Sequence, residues 1–145
     1  MPGLDAVTAD ASEATLVAGW RDLLARHAAA SCALERELGE LHGLGMSEFE
    51  VLERLFEDEE QVDHKLRVQD LGQTVHLSQS ALSRLIGRLE KAGLVERAMC
   101  NLDRRGIYVT LTEAGRTRYT EARPLHRRIL ARTLLEPVPV EDCDA

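Results

Sequence analysis

Six side chains between positions 78 and 88 combine short hydroxyls and an amide with guanidinium groups: Ser78, Gln79, Ser80, Ser83, Arg84 and Arg88. Serine and glutamine are compact donors and acceptors that can approach base edges, and glutamine can hold adenine through two hydrogen bonds. Arg84 and Arg88 can reach guanine edges or phosphates. A second cluster follows at Asp103, Arg104 and Arg105. Arginine at a narrow loop tip can enter the minor groove, where the negative potential is strongest, and a neighbouring aspartate can brace the loop. Together these types can read duplex DNA. Each cluster also has a plainer explanation, an amphipathic surface helix in the first case and a charged turn kept soluble in the second.

The elements that must position them are legible from periodicity. Ser78 is placed to cap a helix running to about Ala92, where Leu82, Leu85, Ile86 and Leu89 share one face and the polar residues and Lys91 take the other. The helix N-terminus favours a phosphate. Gly93 ends the helix. A shorter helix, residues 68–75, precedes it with Leu71 and Val75 inward, and His76 and Leu77 form a tight connection. Beyond Gly93 the period changes to two. Residues 94–99 and 106–111 read as strands, and the polar loop 100–105 joins them as a hairpin with a basic tip. Two short helices and a hairpin make a winged helix-turn-helix.

The flanks are helical. Residues 12–41 hold apolar positions at Leu16, Trp20, Leu23, Leu24, His27, Cys32, Leu34, Leu38 and Leu41, start at Ser12 and stop at residues 42–45. A helix of that length spans roughly 45 Å, long enough to project into a partner subunit. Ser47 with Glu50 reads as a capping box for a second helix, with Phe49, Leu52, Leu55 and Phe56 inward. The acidic run 57–60 reads as a solvated loop, and residues 65–67 as a short strand or extended entry. Thr112 caps a last helix carrying Leu125, Ile129, Leu130 and Leu134, with Pro124 at a kink. Residues 1–11 read as a frayed arm, and the stretch beyond 136 as a disordered acidic tail. The expected division is 1–45, arm and dimerisation helix; 46–112, DNA-binding winged helix; and 113–145, C-terminal dimerisation helix and tail.

The 145-residue chain carries a net charge of -7. Taken as a whole, that opposes a nucleic-acid partner; its distribution does not. Residues 78–118 hold eight basic side chains against four acids, whereas residues 35–70 hold twelve acids against four basic ones. A DNA reader with one basic face and an acidic back has this asymmetry; chance clustering on a solvated surface would also give it. No apolar run approaches the length of a membrane span, and residues 1–10 lack the basic and apolar regions of a secretory signal. Cys32, Cys100 and Cys143 are odd in number and widely spaced, which is no disulfide framework and fits a reducing, cytoplasmic setting. Among them Cys100, between Arg97 and Arg104, is the better redox-sensing candidate, and Cys32 reads as packing.

Rival classes leave fewer traces. There is no phosphate loop, nucleophile elbow or HExxH pattern, so no enzyme is expected. No cofactor is expected. His27, His42, His64, His76 and His126 show no metal-site spacing, so no metal ligands are assigned, although a site shared between subunits would leave no trace in one sequence. A zinc-responsive winged-helix regulator and a degenerate winged helix that binds only protein stay open as alternatives. Against the second stand Arg104 and Arg105, which a protein-interaction module does not need.

Residues 66–115, LRVQDLGQTVHLSQSALSRLIGRLEKAGLVERAMCNLDRRGIYVTLTEAG, resemble the DNA-binding core of the MarR (multiple antibiotic resistance regulator) family. The most specific parts are LEKAGLVER at 89–97, Asp103-Arg104-Arg105, and Val109-Thr110-Leu111-Thr112. The resemblance implies a mainly α protein with a β-hairpin wing, working as a triangular homodimer held by its N- and C-terminal helices. It implies that the helix from Ser78 enters the major groove of a pseudo-palindromic operator. The wing would flank it, with Arg105 in the minor groove and Asp103 as its brace. It also implies a repressor released by a small-molecule effector, by thiol oxidation or by metal. Two departures stand out. The region after Leu135 is short and acidic where many relatives carry another helix, and His76 occupies a turn position where glycine is common.

Overall fold

A computed structural model of the chain describes residues 12–59, 66–99 and 107–135. In chain order the elements are α1 (Glu13–His42), α2 (Met46–Glu59), β1 (Leu66–Arg67), α3 (Val68–Thr74), α4 (Gln79–Lys91), β2 (Val95–Met99), β3 (Ile107–Leu111) and α5 (Glu113–Leu134). The expected arm, acidic tail and hairpin loop lie outside the described residues.

Local hydrogen bonding explains most boundaries. Ser12 accepts from the Thr15 amide at 3.2 Å and starts α1. Gly43, at φ 65°, ends it in a left-handed cap, its amide donating to the Gly39 carbonyl at 3.1 Å while Leu44 N bonds Leu38 O at 3.2 Å. The expected capping box at Ser47 is not formed. α2 begins at Met46, two residues before a helix capped by Ser47 would, because Glu35 of α1 accepts from the Met46 amide at 3.0 Å and satisfies the first turn from outside. Ser47 is thus inside the helix, and Glu50 is released to face α5. The acidic run is helical as far as Glu59, which holds Arg116 of α5 through two hydrogen bonds.

β1, β3 and β2 form an antiparallel sheet with β3 central. Val95 pairs with Leu111 and Met99 with Ile107, and along β3 Val109 and Leu111 are buried while Thr110 between them is not, the two-residue alternation read from sequence. The start of α5 is welded to this sheet. Thr112 accepts from the Gly115 amide at 3.0 Å while its hydroxyl donates to the Gly93 carbonyl at 2.6 Å. A β-carbon on Gly115 would lie 2.0 Å from the Leu94 carbonyl oxygen, so only glycine permits this approach. α5 then continues through Pro124 to Leu134.

The core joins the helices with β2 and β3. Leu38, Leu44, Phe49, Leu52, Leu71, Leu82, Ile86, Leu89 and Ile129 are fully buried. α1 and α5 pack along each other, and Arg26 fastens the pair by donating to the Leu134 carbonyl at 2.9 Å while binding Asp22. The first half of α1 is different. Leu16, Val17, Trp20, Leu23 and Leu24 lie on a surface with Trp20 59% exposed, and Leu134 and Leu135 at the end of α5 are also open. His27, counted in the apolar stripe, is exposed. No helix among the described residues is long and apolar enough to cross a membrane.

Cys32, read from sequence as a packing residue, is disulfide-bonded. Cys100 and Cys143 lie outside the described residues.

Candidate nucleic-acid interface

The helix-turn-helix is built by α3, the turn 75–78 and α4. Its turn requires a left-handed residue, and His76 supplies it at φ 57°. Glycine would do so without steric penalty, whereas histidine adopts this region at some cost. The turn is closed by Val75 N to Leu71 O at 3.0 Å and Leu77 N to Gly72 O at 3.4 Å. The unusual residue is therefore accommodated and the motif is intact.

Ser78 caps α4 as read from sequence, accepting from the Ala81 amide at 3.2 Å. Leu82, Leu85, Ile86 and Leu89 anchor the helix in the core, each worth about 2 kcal/mol of burial. That orientation leaves Ser78, Gln79, Ser80, Ser83, Arg84 and Arg88 together on the exposed face, with Lys91 beside them. Ser78 and Ser80 hydroxyls stand 3.5 Å apart. Arg84, Arg88 and Lys91 form no ion pair among the described residues. Gln79 leans back over α3: a β-carbon on Gly72 would meet its amide nitrogen at 2.7 Å, so Gly72 makes the room in which this side chain lies. Asp103, Arg104 and Arg105 fall outside the described residues.

One contributor was missed from sequence. Arg97 of β2 reaches across to α4, donating to the Ser83 carbonyl at 3.2 Å and approaching Glu90 at 3.9 Å. Gly87, between those positions, leaves space for the guanidinium. Arg97 thus ties the wing strand to the recognition helix. The only sequence signal was a small residue one turn after Ser83 and one turn before Glu90, which is too common to notice. The basic segment is also less uniform than counting suggests. Arg116 is held by Glu59, and Arg118 donates to the His42 carbonyl at 3.0 Å. These two cations tie α5 to α2 and to the end of α1.

A short exposed helix with free cations, seated on a core and braced by a hairpin strand, is the arrangement of a winged-helix DNA reader. Comparisons with known proteins agree. The MarR family profile matches residues 42–106. AbsC of Streptomyces coelicolor, a MarR family transcriptional regulator of known crystal structure, is 33% identical, superposes with a TM-score of 0.75, and aligns over 90% of this chain and 85% of its own. The chain belongs to the MarR family, whose members are transcriptional regulators and not enzymes. Sco3205, another MarR family regulator from Streptomyces coelicolor, was solved in complex with DNA. It is 25% identical, with a TM-score of 0.74 over 86% of this chain and 78% of its own. YwhA of Bacillus subtilis, an uncharacterised HTH-type transcriptional regulator, is 41% identical over 49 residues, 34% of this chain and 35% of its own. The chain thus aligns with about a third of that curated relative.

Proposed function

We propose that this chain is a sequence-specific DNA-binding repressor that grips a pseudo-palindromic operator as a homodimer. The observation that carries the reading is the exposed face of α4, where Ser78, Gln79, Ser80 and Ser83 sit beside the unpaired Arg84 and Arg88 on a helix anchored by buried leucines. α4 enters the major groove, its serines and Gln79 face base edges, and the arginines take guanine edges or phosphates. Arg104 and Arg105 serve the minor groove, braced by Asp103. The DNA complex of Sco3205 supports this reading.

The dimer uses the open apolar stripe of α1 and the end of α5. Leu16, Trp20, Leu23 and Leu24 recur at helical spacing on one side, and Leu134 and Leu135 extend the same need for cover. A two-fold axis there sets the α4 copies about one DNA turn, roughly 34 Å, apart. The protein works in the cytoplasm, and release follows thiol oxidation or a small-molecule effector. The disulfide at Cys32 favours the first, because cytosolic disulfides are mostly redox-sensing.

Selection of bound duplexes from a random library with the purified full chain tests the reading. The expected product is an imperfect inverted repeat. Recovery of no enriched sequence, or of a single asymmetric half-site, would overturn it.

A further inference from the structure

The seam between α2 and α5 gathers charged groups that the DNA-binding reading does not use. Glu50 and Glu53 stand one turn apart on α2, and His126 faces them from α5. One ligand atom from each lies within 4.8 Å of the others. Glu53 is 8% and His126 3% exposed. The imidazole is stacked on Phe49 with ring centroids 4.1 Å apart, which fixes its plane. Tyr119 donates a hydrogen bond to Glu53 at 3.2 Å, as an outer partner orients a ligating carboxylate.

The present occupant of this seam is a cation, the guanidinium of Arg127. It binds the Glu53 carboxylate and sits 2.6 Å from His126 Nδ1. Arginine only donates, so Nδ1 accepts and the imidazole proton is on Nε2. Nε2 and Glu50 Oε1 are 3.7 Å apart, longer than a hydrogen bond. Two ligand atoms on one tetrahedral zinc ion stand about 3.4 Å apart, as follows from metal–ligand distances of about 2.1 Å. The Arg127 side chain is 42% exposed and can withdraw into solvent.

We propose that Glu50, Glu53 and His126 form a binding site for a divalent cation of the zinc type, which takes the place of Arg127. Nitrogen and oxygen ligands from three side chains leave a fourth position for water. The ion binds His126 through Nε2, the imidazole proton moves to Nδ1, and Arg127 can no longer donate there. Ion and guanidinium therefore compete for His126. An ion here would tie α2, in the winged-helix half, to α5, in the helical flank.

The test titrates zinc(II) into the untagged, chelator-treated full chain in competition with a chromophoric chelator. One zinc per chain is expected. Glu50→Gln and His126→Gln should each weaken it about 10-fold or more, whereas Arg127→Ala should tighten it by removing the competitor. Glu50 is half-exposed, so Glu50→Gln stays informative even if His126→Gln fails to fold. Absence of a stoichiometric site, or binding that Glu50→Gln leaves unchanged and Arg127→Ala does not strengthen, would overturn the proposal. The readout needs no DNA, so its failure and that of the DNA-binding reading are separable.

Discussion

α4 and the α2–α5 seam use the same kinds of side chain to opposite ends. On α4 the arginines have no ion-pair partner among the described residues, and every buried position is aliphatic. At the seam each charge is answered. Glu53 is bound by Tyr119 and Arg127, Arg116 is held by Glu59, and Glu50 faces His126. The contact with His126 holds the Glu50 carboxyl below its usual range, and burial with the nearby Glu53 carboxylate pushes the Tyr119 hydroxyl up. Charges that already have partners gain little from a polyanion, whereas free ones release counterions on binding it. The comparison separates cations that hold the fold from cations offered to a ligand, which composition alone merges.

Substitutions in the two regions should therefore part stability from binding. The largest loss is expected where backbone meets backbone. Gly115→Ala drives a methyl group into the Leu94 carbonyl and should cost about 3 kcal/mol or more, seen as a thermal midpoint lowered by roughly 10 °C. Glu53→Ala strands Tyr119 and Arg127. It should cost about 2–3 kcal/mol in denaturant unfolding, the lower part of the range for broken buried pairs because Arg127 is partly solvated. Arg84→Ala should leave stability within about 0.5 kcal/mol yet cost about 1–2 kcal/mol in DNA affinity. A stability loss without a binding loss there would erase the contrast. His76→Gly should raise stability by roughly 0.5–1 kcal/mol by relieving the left-handed turn, measured as a higher denaturant midpoint.

What could be read from sequence was what depends on near neighbours. The caps at Ser12, Ser78 and Thr112 are bonds to amides three residues ahead, and the faces of α4 follow from three- and four-residue spacing. The false cap at Ser47 failed because Glu35, in another helix, supplies the acceptor. Arg97 on Ser83 and His126 beside Glu50 arise only when segments apart in sequence meet. The stripe of α1 was legible as apolar, and it is exposed in the single chain, where the proposed partner copy would cover it.

The central claim, that the free cations of α4 carry the contact with DNA, is tested most directly by the salt dependence of binding. Fluorescence anisotropy of a selected duplex would compare the native chain with Arg84→Ala/Arg88→Ala across several salt concentrations. If both arginines take phosphates, the slope of log affinity against log salt should be shallower by about 2 in the variant, with affinity reduced at every concentration. Equal slope and equal affinity would contradict the account.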